Sequence, residues 1–277
     1  MNEPTALADD LAGLAVDLAR GAAEVVRAGT ADHGPVFAKS DAVDLVTRVD
    51  RETERWLVEQ IGRSRPDDGV LGEEGGERLG HSGVRWVLDP IDGTVNFVLG
   101  LPLYAVSVAV QWQGRVVAGA VCNPATGELF RARVGGGAFI EFGGSTAPLL
   151  GPRTVALSGA VVGTGFGYDR ARRGRQAVVA AALLGRVADI RRLGAASLDL
   201  CAVATGRLDA YFEAGLSVWD YSAGALIAAE AGCVVTGLHG EPASERMAVA
   251  VGPAIAAEFV ALLEELSADA VMDDPTD

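Results

Sequence analysis

A chain of 277 residues, 49% of them hydrophobic, can bury a sizeable core, and its formal net charge of -14 leaves no basic surplus for a nucleic-acid backbone or an anionic membrane. Composition therefore predicts a globular protein with no nucleic-acid partner and no membrane partner. A small phosphorylated ligand stays open, because divalent cations held by some of the 37 acidic residues reverse the local field.

Leu7, Leu11, Leu14, Leu18, Ala22 and Val26 recur at three-and-four spacing, which predicts an amphipathic helix over 4–28 that Gly29 ends. A polar stretch from Lys39 to Thr47 follows. A second helix is predicted from Asp50, with Asp50 as its cap and Trp56, Leu57 and Ile61 on one face. Val70-Leu71 begins a strand that runs into Gly72-Glu73-Glu74-Gly75-Gly76. Trp86-Val87-Leu88 reads as a short buried strand, and the Asp89-Pro90 and Asp92-Gly93 steps after it are turn chemistry.

Strand-like runs over Leu103–Trp112, Arg115–Asn123, Phe130–Val134 and Ala138–Phe142, with a turn at Gln113-Gly114, predict a meander. The stretch 143–152 divides the chain into halves, 1–150 and 151–277. Beyond it, strands (Val161–Phe166, Val187–Arg191, Asp209–Glu213) alternate with helices (Arg170–Leu184, Ala195–Thr205, Asp220–Ala231), the pattern of an α/β half. Acids near the N-terminus (Glu3, Asp9, Asp10), and Gln111, Gln113 and Arg115 inside the longest apolar region, give no export signal and no membrane span, so a cytoplasmic location is expected. Cys122, Cys201 and Cys233 suit buried thiols, and His33, His81 and His239 have no zinc or triad spacing. Arg170, Arg172, Arg173 and Arg175 are read as a solvated helix face outside any site.

The chemistry-bearing residues are Glu73, Glu74, Asp89, Asp92 and Asp220, each beside glycine or a turn at the edge of an element. Hard oxygen ligands of this kind suit Mg2+ or Ca2+. Taken singly, each is better accounted for by a turn or a helix cap. Together, Gly72-Glu73-Glu74-Gly75, Asp89-Pro90-Ile91-Asp92-Gly93-Thr94 and Trp219-Asp220-Tyr221-Ser222-Ala223-Gly224 resemble the three signature motifs of the inositol monophosphatase family, in the family's order and separations. Asp44-Leu45-Val46-Thr47 with Asp50 is similar to its early motif, and Leu193 to Glu213 to its substrate-binding segment.

The resemblance implies an α/β fold, α+β in the N-terminal half and α/β in the C-terminal half, layered as an αβαβα sandwich. It implies a phosphomonoesterase with two or three Mg2+ per site. Glu73, Asp89 and the Ile91 carbonyl would hold one ion and Asp89, Asp92 and Asp220 a second, with a third near Glu73. It implies that Thr94 with Asp50, helped by Glu73, activates water, and that the Gly93 and Thr94 N–H groups receive phosphate. Asp92, Ala196 and Glu213 fall on the substrate side, and Glu213 suits the hydroxyls of a phosphorylated polyol. Lithium sensitivity and a homodimer are further family expectations. Myo-inositol 1-phosphate is the expected substrate; histidinol phosphate, fructose 1,6-bisphosphate and adenosine 3',5'-bisphosphate are the alternatives, and a non-enzymatic interaction protein on the same fold is the rival of another class.

Overall fold

The computed structural model describes residues 3–30, 36–38 and 45–273; Lys39 to Asp44, His33 and the tail beyond Asp273 lie outside the described residues. The chain runs α1 (Glu3–Gly29), β1 (Phe37–Ala38), β2 (Leu45–Val46), α2 (Arg48–Ser64), β3 (Gly69–Gly72), β4 (Gly76–Arg78), β5 (Val84–Asp92) and α3 (Thr94–Leu99). The meander follows as β6 (Ala105–Trp112), β7 (Arg115–Cys122), β8 (Leu129–Arg133), β9 (Gly137–Phe142) and β10 (Ser145–Pro148). Then come β11 (Val161–Thr164), α4 (Arg170–Leu184), β12 (Asp189–Arg191), α5 (Ala196–Ala204), β13 (Ala210–Glu213), α6 (Val218–Glu230), β14 (Val234–Thr236), β15 (Ala248–Val251) and α7 (Ala256–Glu265).

Two sheets carry the fold. One has 8 strands in the order β10-β9-β8-β7-β6-β5-β3-β4, the other 5 in the order β12-β11-β13-β15-β14. Within the larger sheet only β3 and β5 are parallel, which sends both chains out of the same edge, so the acids after β3 and at the end of β5 meet. Three apolar layers alternate with the sheets. Leu11, Leu18, Val26, Leu57 and Ile61 of α1 and α2 pack on Trp86 and Leu88 of the large sheet. On its other face Val87, Val121 and Phe130 meet Leu200, Ala223 and Ile227 of α5 and α6, which also reach Tyr211 and Ala250 of the small sheet. Beyond that sheet, Val249 and Phe212 pack against Leu183 of α4 and Phe259 of α7. The order helix, sheet, helix, sheet, helix is the layered sandwich expected from the motifs.

β5 explains the position of the site. It is buried on both faces and continues through Asp92, longer than the short strand and bend predicted. Pro90 has no N–H to give the ladder, and the pairing with β6 slips between Asp89 and Asp92, so the carboxylates sit on an irregular strand end instead of a turn. The turn comes one residue later, at Gly93 with φ 89°, where a Cβ would stand 3.0 Å from the Leu103 carbonyl oxygen.

α6 brings the distant Asp220 to this edge by crossing the large sheet at Gly119. A Cβ there would lie 3.0 Å from the Ala223 Cα. Gly119→Ala is therefore expected to lower the melting temperature by overpacking, at about 1–3 kcal/mol. A thermal melt equal to wild type would show that the helix can lift without cost.

The predicted helix starts at Asp50 and Asp220 are both two residues late. Thr47 caps α2 and Ser217 precedes α6, which places each aspartate inside the first turn with its carboxylate turned back to the cap. The boundary stretch 143–152 contains the edge strand β10, joined to β9 through Gly143 and Gly144, both at positive φ. Cys122, Cys201 and Cys233 are free and buried. No helix among the described residues is long and apolar enough to cross a membrane.

Candidate active site

A cleft of ≈490 Å³ opens where the ends of β3 and β5 face the starts of α3, α5 and α6. That volume lies within the usual range for a small-molecule site. Glu73, Asp89, Ile91, Asp92, Gly93, Thr94, Ala196, Glu213 and Asp220 all line it. Two residues singled out in the sequence do not line it: Asp50 stands behind the wall and reaches it through Thr94, and Glu74 lies outside the cleft.

Each side chain is held by a specific local bond. Asp89 Oδ1 accepts from the Ile91 N–H at 3.0 Å. Asp92 Oδ2 accepts from the Ser197 N–H at 2.7 Å and the Ser197 hydroxyl at 2.5 Å, and Asp92 Oδ1 from the Ala196 N–H at 3.2 Å. Asp220 Oδ2 accepts from the Ser217 N–H at 2.7 Å. Thr94 Oγ1 lies 2.9 Å from both Asp50 Oδ1 and the Ile91 carbonyl oxygen, with one proton to give. Asp50 Oδ2 is taken by the Thr47 N–H at 2.9 Å and hydroxyl at 2.5 Å.

The electrostatics follow from burial without counterions. Burial first, then Glu73, Asp92 and Asp220 in turn, raise the Asp89 carboxyl well above the usual carboxylate range. Asp220 is raised by burial and by Asp92 and Glu73. Asp92 is pushed up by burial to about 6, against the pull of its Ser197 and Ala196 donors and of Arg192. Glu213 is pushed by burial to about 7, against the Tyr211 hydroxyl, which donates to its Oε2 at 2.6 Å. Burial also raises Asp50, offset in part by its Thr47 and Thr94 donors. Among the described residues no three His, Cys, Asp or Glu side chains stand in a closed metal-holding arrangement. The chemistry of the donors fits a hard cation even so: all are oxygens, and their repulsion is relieved either by protons or by positive ions.

With the motifs on one cleft, comparison with known proteins decides the family. The model of the inositol monophosphatase family matches residues 7–269. The chain belongs to the inositol monophosphatase family. It is 46% identical to the inositol-1-monophosphatase SuhB of Mycobacterium tuberculosis (strain H37Rv), over 96% of each chain. It is 42% identical to the Nus factor SuhB of Vibrio cholerae over 71% of this chain and 73% of that one. The solved structure of Mycobacterium tuberculosis SuhB superposes with a TM-score of 0.81 at 44% identity, covering 94% of this chain and 98% of that one.

Several features of this family member escape sequence reasoning. The Ala196 N–H, expected on the substrate side, is spent on Asp92, because the start of α5 abuts the end of β5. The Ile91 carbonyl oxygen shares the Thr94 hydroxyl proton with Asp50 Oδ1, which leaves at least one of its two lone pairs for another partner. Of the α4 arginines expected to form a solvated face, Arg170 is exposed, whereas the other three are partly buried and engaged. Arg172 lines the cleft, Arg173 donates to the Gly167 and Tyr168 carbonyls, and Arg175 to the Val271 carbonyl. Ser197 and Tyr211, which hold Asp92 and Glu213, carried no signal in the sequence beyond lying in the substrate-like segment.

Proposed function

We propose that this phosphatase-family member hydrolyses the phosphomonoester of a polyol, with myo-inositol 1-phosphate the foremost substrate, in a reaction that depends on Mg2+. The observation that carries this reading is the convergence of Asp89, Asp92, Asp220 and Glu73 on one cleft, with burial and mutual repulsion opposing their charged forms. At an effective dielectric of 20, two unit charges 4 Å apart repel by about 4 kcal/mol, so neither the fully charged site nor a phosphate dianion beside it is tolerable without cations. Glu73, Asp89 and the Ile91 carbonyl would hold one Mg2+ and Asp89, Asp92 and Asp220 another, with a third near Glu73. When bound, Mg2+ acidifies water and neutralises the charge that develops on phosphate and leaving oxygen.

The rest of the work falls to the chain. The glycine corner at Gly93 lets phosphate approach the backbone, where the Gly93 and Thr94 N–H groups receive its oxygens. Thr94 Oγ1 accepts a proton from the attacking water as it passes its own to Asp50 Oδ1. Glu73, on the same cleft, assists. Glu213, held through Oε2 by Tyr211, accepts from ring hydroxyls through Oε1. On this reading residues 1–150 supply most metal ligands, residues 151–277 supply Asp220 and Glu213, and the substrate lies between; two copies are expected to pair as a homodimer.

A panel of myo-inositol 1-phosphate, histidinol phosphate, fructose 1,6-bisphosphate and adenosine 3',5'-bisphosphate, assayed with and without Mg2+, tests the reading. A large preference for any of the last three overturns the substrate, and no metal-dependent phosphate release from any overturns the enzyme reading in favour of an interaction role, such as the name of the Vibrio relative carries.

Glu213 makes a pH prediction. Its carboxyl is raised to about 7, so the accepting carboxylate form gains population as pH rises through that value, and KM for the polyol is expected to fall from pH 6 to 8. Glu213→Gln should flatten that profile and raise KM with little change in kcat. A profile that Glu213→Gln leaves unchanged would assign the titration elsewhere.

A further inference from the structure

Glu54 lies one helical turn beyond Asp50 on α2, so the two acids share a face of the same helix. It is buried, at 5% exposure, although nothing in the motifs draws attention to it. Its carboxylate accepts the Glu74 N–H on Oε2 at 2.8 Å and the Gly75 N–H on Oε1 at 2.5 Å. The residue before them, Glu73, is tied on the other side by its own N–H, which donates to the Leu88 carbonyl of β5 at 3.2 Å. The loop that aims Glu73 is therefore clamped at consecutive residues between α2 and β5.

The glycines of this loop have a matching explanation. Gly72 and Gly75 are absent from the positive-φ positions, unlike Gly76, so left-handed torsions are not what they provide. They provide room. A Cβ on Gly72 would stand 2.5 Å from the Glu54 Cδ and Oε2, and one on Gly75 would stand 2.7 Å from Oε1. Any side chain there drives the Glu54 carboxylate off the amides it holds.

We propose that Glu54 is a positioning residue for the metal site: it sets the height of the Glu73 loop, and Gly72 and Gly75 are small so that it can. This rests on the reading of Glu73 as a ligand of Mg2+. The first two turns of α2, capped by Thr47, then register both sides of the site, holding Thr94 through Asp50 and the Glu73 loop through Glu54.

Glu54→Gln keeps one acceptor and turns an NH2 toward the second amide. Hydrogen exchange at the Glu74 and Gly75 amides should quicken, and Mg2+ affinity measured by calorimetry should fall about 10–100-fold, the usual cost of losing a group that orients a ligand. At saturating Mg2+ kcat should return toward wild type, because Thr94 and Asp50 are untouched; a general loss of structure would not be rescued. Gly75→Ala, which leaves Glu54 in place but displaces its carboxylate, should reproduce all three results. Unchanged exchange in both variants, or faster exchange with wild-type Mg2+ affinity, overturns the proposal. Failure of the wild-type protein to bind Mg2+ overturns the metal reading and this proposal together, whereas wild-type binding that neither variant weakens overturns this proposal alone.

Discussion

Asp89→Asn is expected to abolish metal-dependent phosphate release while raising the melting temperature of the metal-free protein. The two effects have one cause. Burial and three other acids all act against the charge of Asp89. Asparagine can keep the bond that Asp89 Oδ1 accepts from Ile91 and carries no charge to oppose Glu73, Asp92 and Asp220. The gain in folding free energy should be about 0.5–2 kcal/mol, the usual yield of a stabilising change. The loss in rate should be on the order of 10³-fold or more, because a bridging carboxylate serves both cations and metal stabilisation of the transition state amounts to several kcal/mol. A variant that keeps turnover within tenfold of wild type would remove Asp89 from the ligand set. Asp92→Asn is the poorer probe: Asp92 accepts from three donors at Ala196 and Ser197, and an NH2 turned toward them would loosen the start of α5 as well as the site.

What could be read in the sequence was local. Acids flanked by glycine, an apolar run ending in Asp-Pro and Asp-Gly, and the period of α1 or α4 are properties of neighbouring residues, and they survive folding nearly unchanged. The helix starts show how close local reading came. Thr47-Arg48-Val49-Asp50 and Ser217-Val218-Trp219-Asp220 both have a hydroxyl residue three places before an acid, so the signal that moves the cap from the aspartate to the threonine or serine was present. β10 carried no such signal. Its four residues, Ser145 to Pro148, are all exposed on a sheet edge, where no buried face imposes alternation. Glu54, Ser197 and Arg172 were illegible for a different reason. Their roles are set by what lies opposite in space, 20 residues away for Glu54 and Glu74 and 105 for Ser197 and Asp92, and no spacing rule within one element encodes that. Recognition of linked motifs reached the acids that line the cleft; it could not show that the Ala196 N–H is already engaged.

Thr94→Val is expected to lower kcat by about 10²–10⁴-fold, the range for losing a proton-transfer group, with KM close to wild type. Valine matches threonine in shape, so the corner after Gly93 should persist. The stability cost comes from two buried acceptors, Asp50 Oδ1 and the Ile91 carbonyl, that lose their shared donor, about 1–3 kcal/mol in all. Thr94→Ser restores the hydroxyl and should restore most of the rate. Asp50→Asn separates the catalytic and architectural parts of the same unit. Asp50 Oδ2 closes the start of α2 through two donors from Thr47, so the substitution should cost about 0.5–2 kcal/mol of stability in addition, as losing a helix cap does, whereas Thr94→Val leaves that cap whole. In rate the two should not add. If Thr94 passes its proton to Asp50, then Asp50→Asn in a Thr94→Val background has little left to remove, and the double variant should be nearly as active as Thr94→Val alone. Additive losses in kcat would mean that the two side chains act through separate routes, and that the 2.9 Å bond between them is part of the scaffold and not of the proton path.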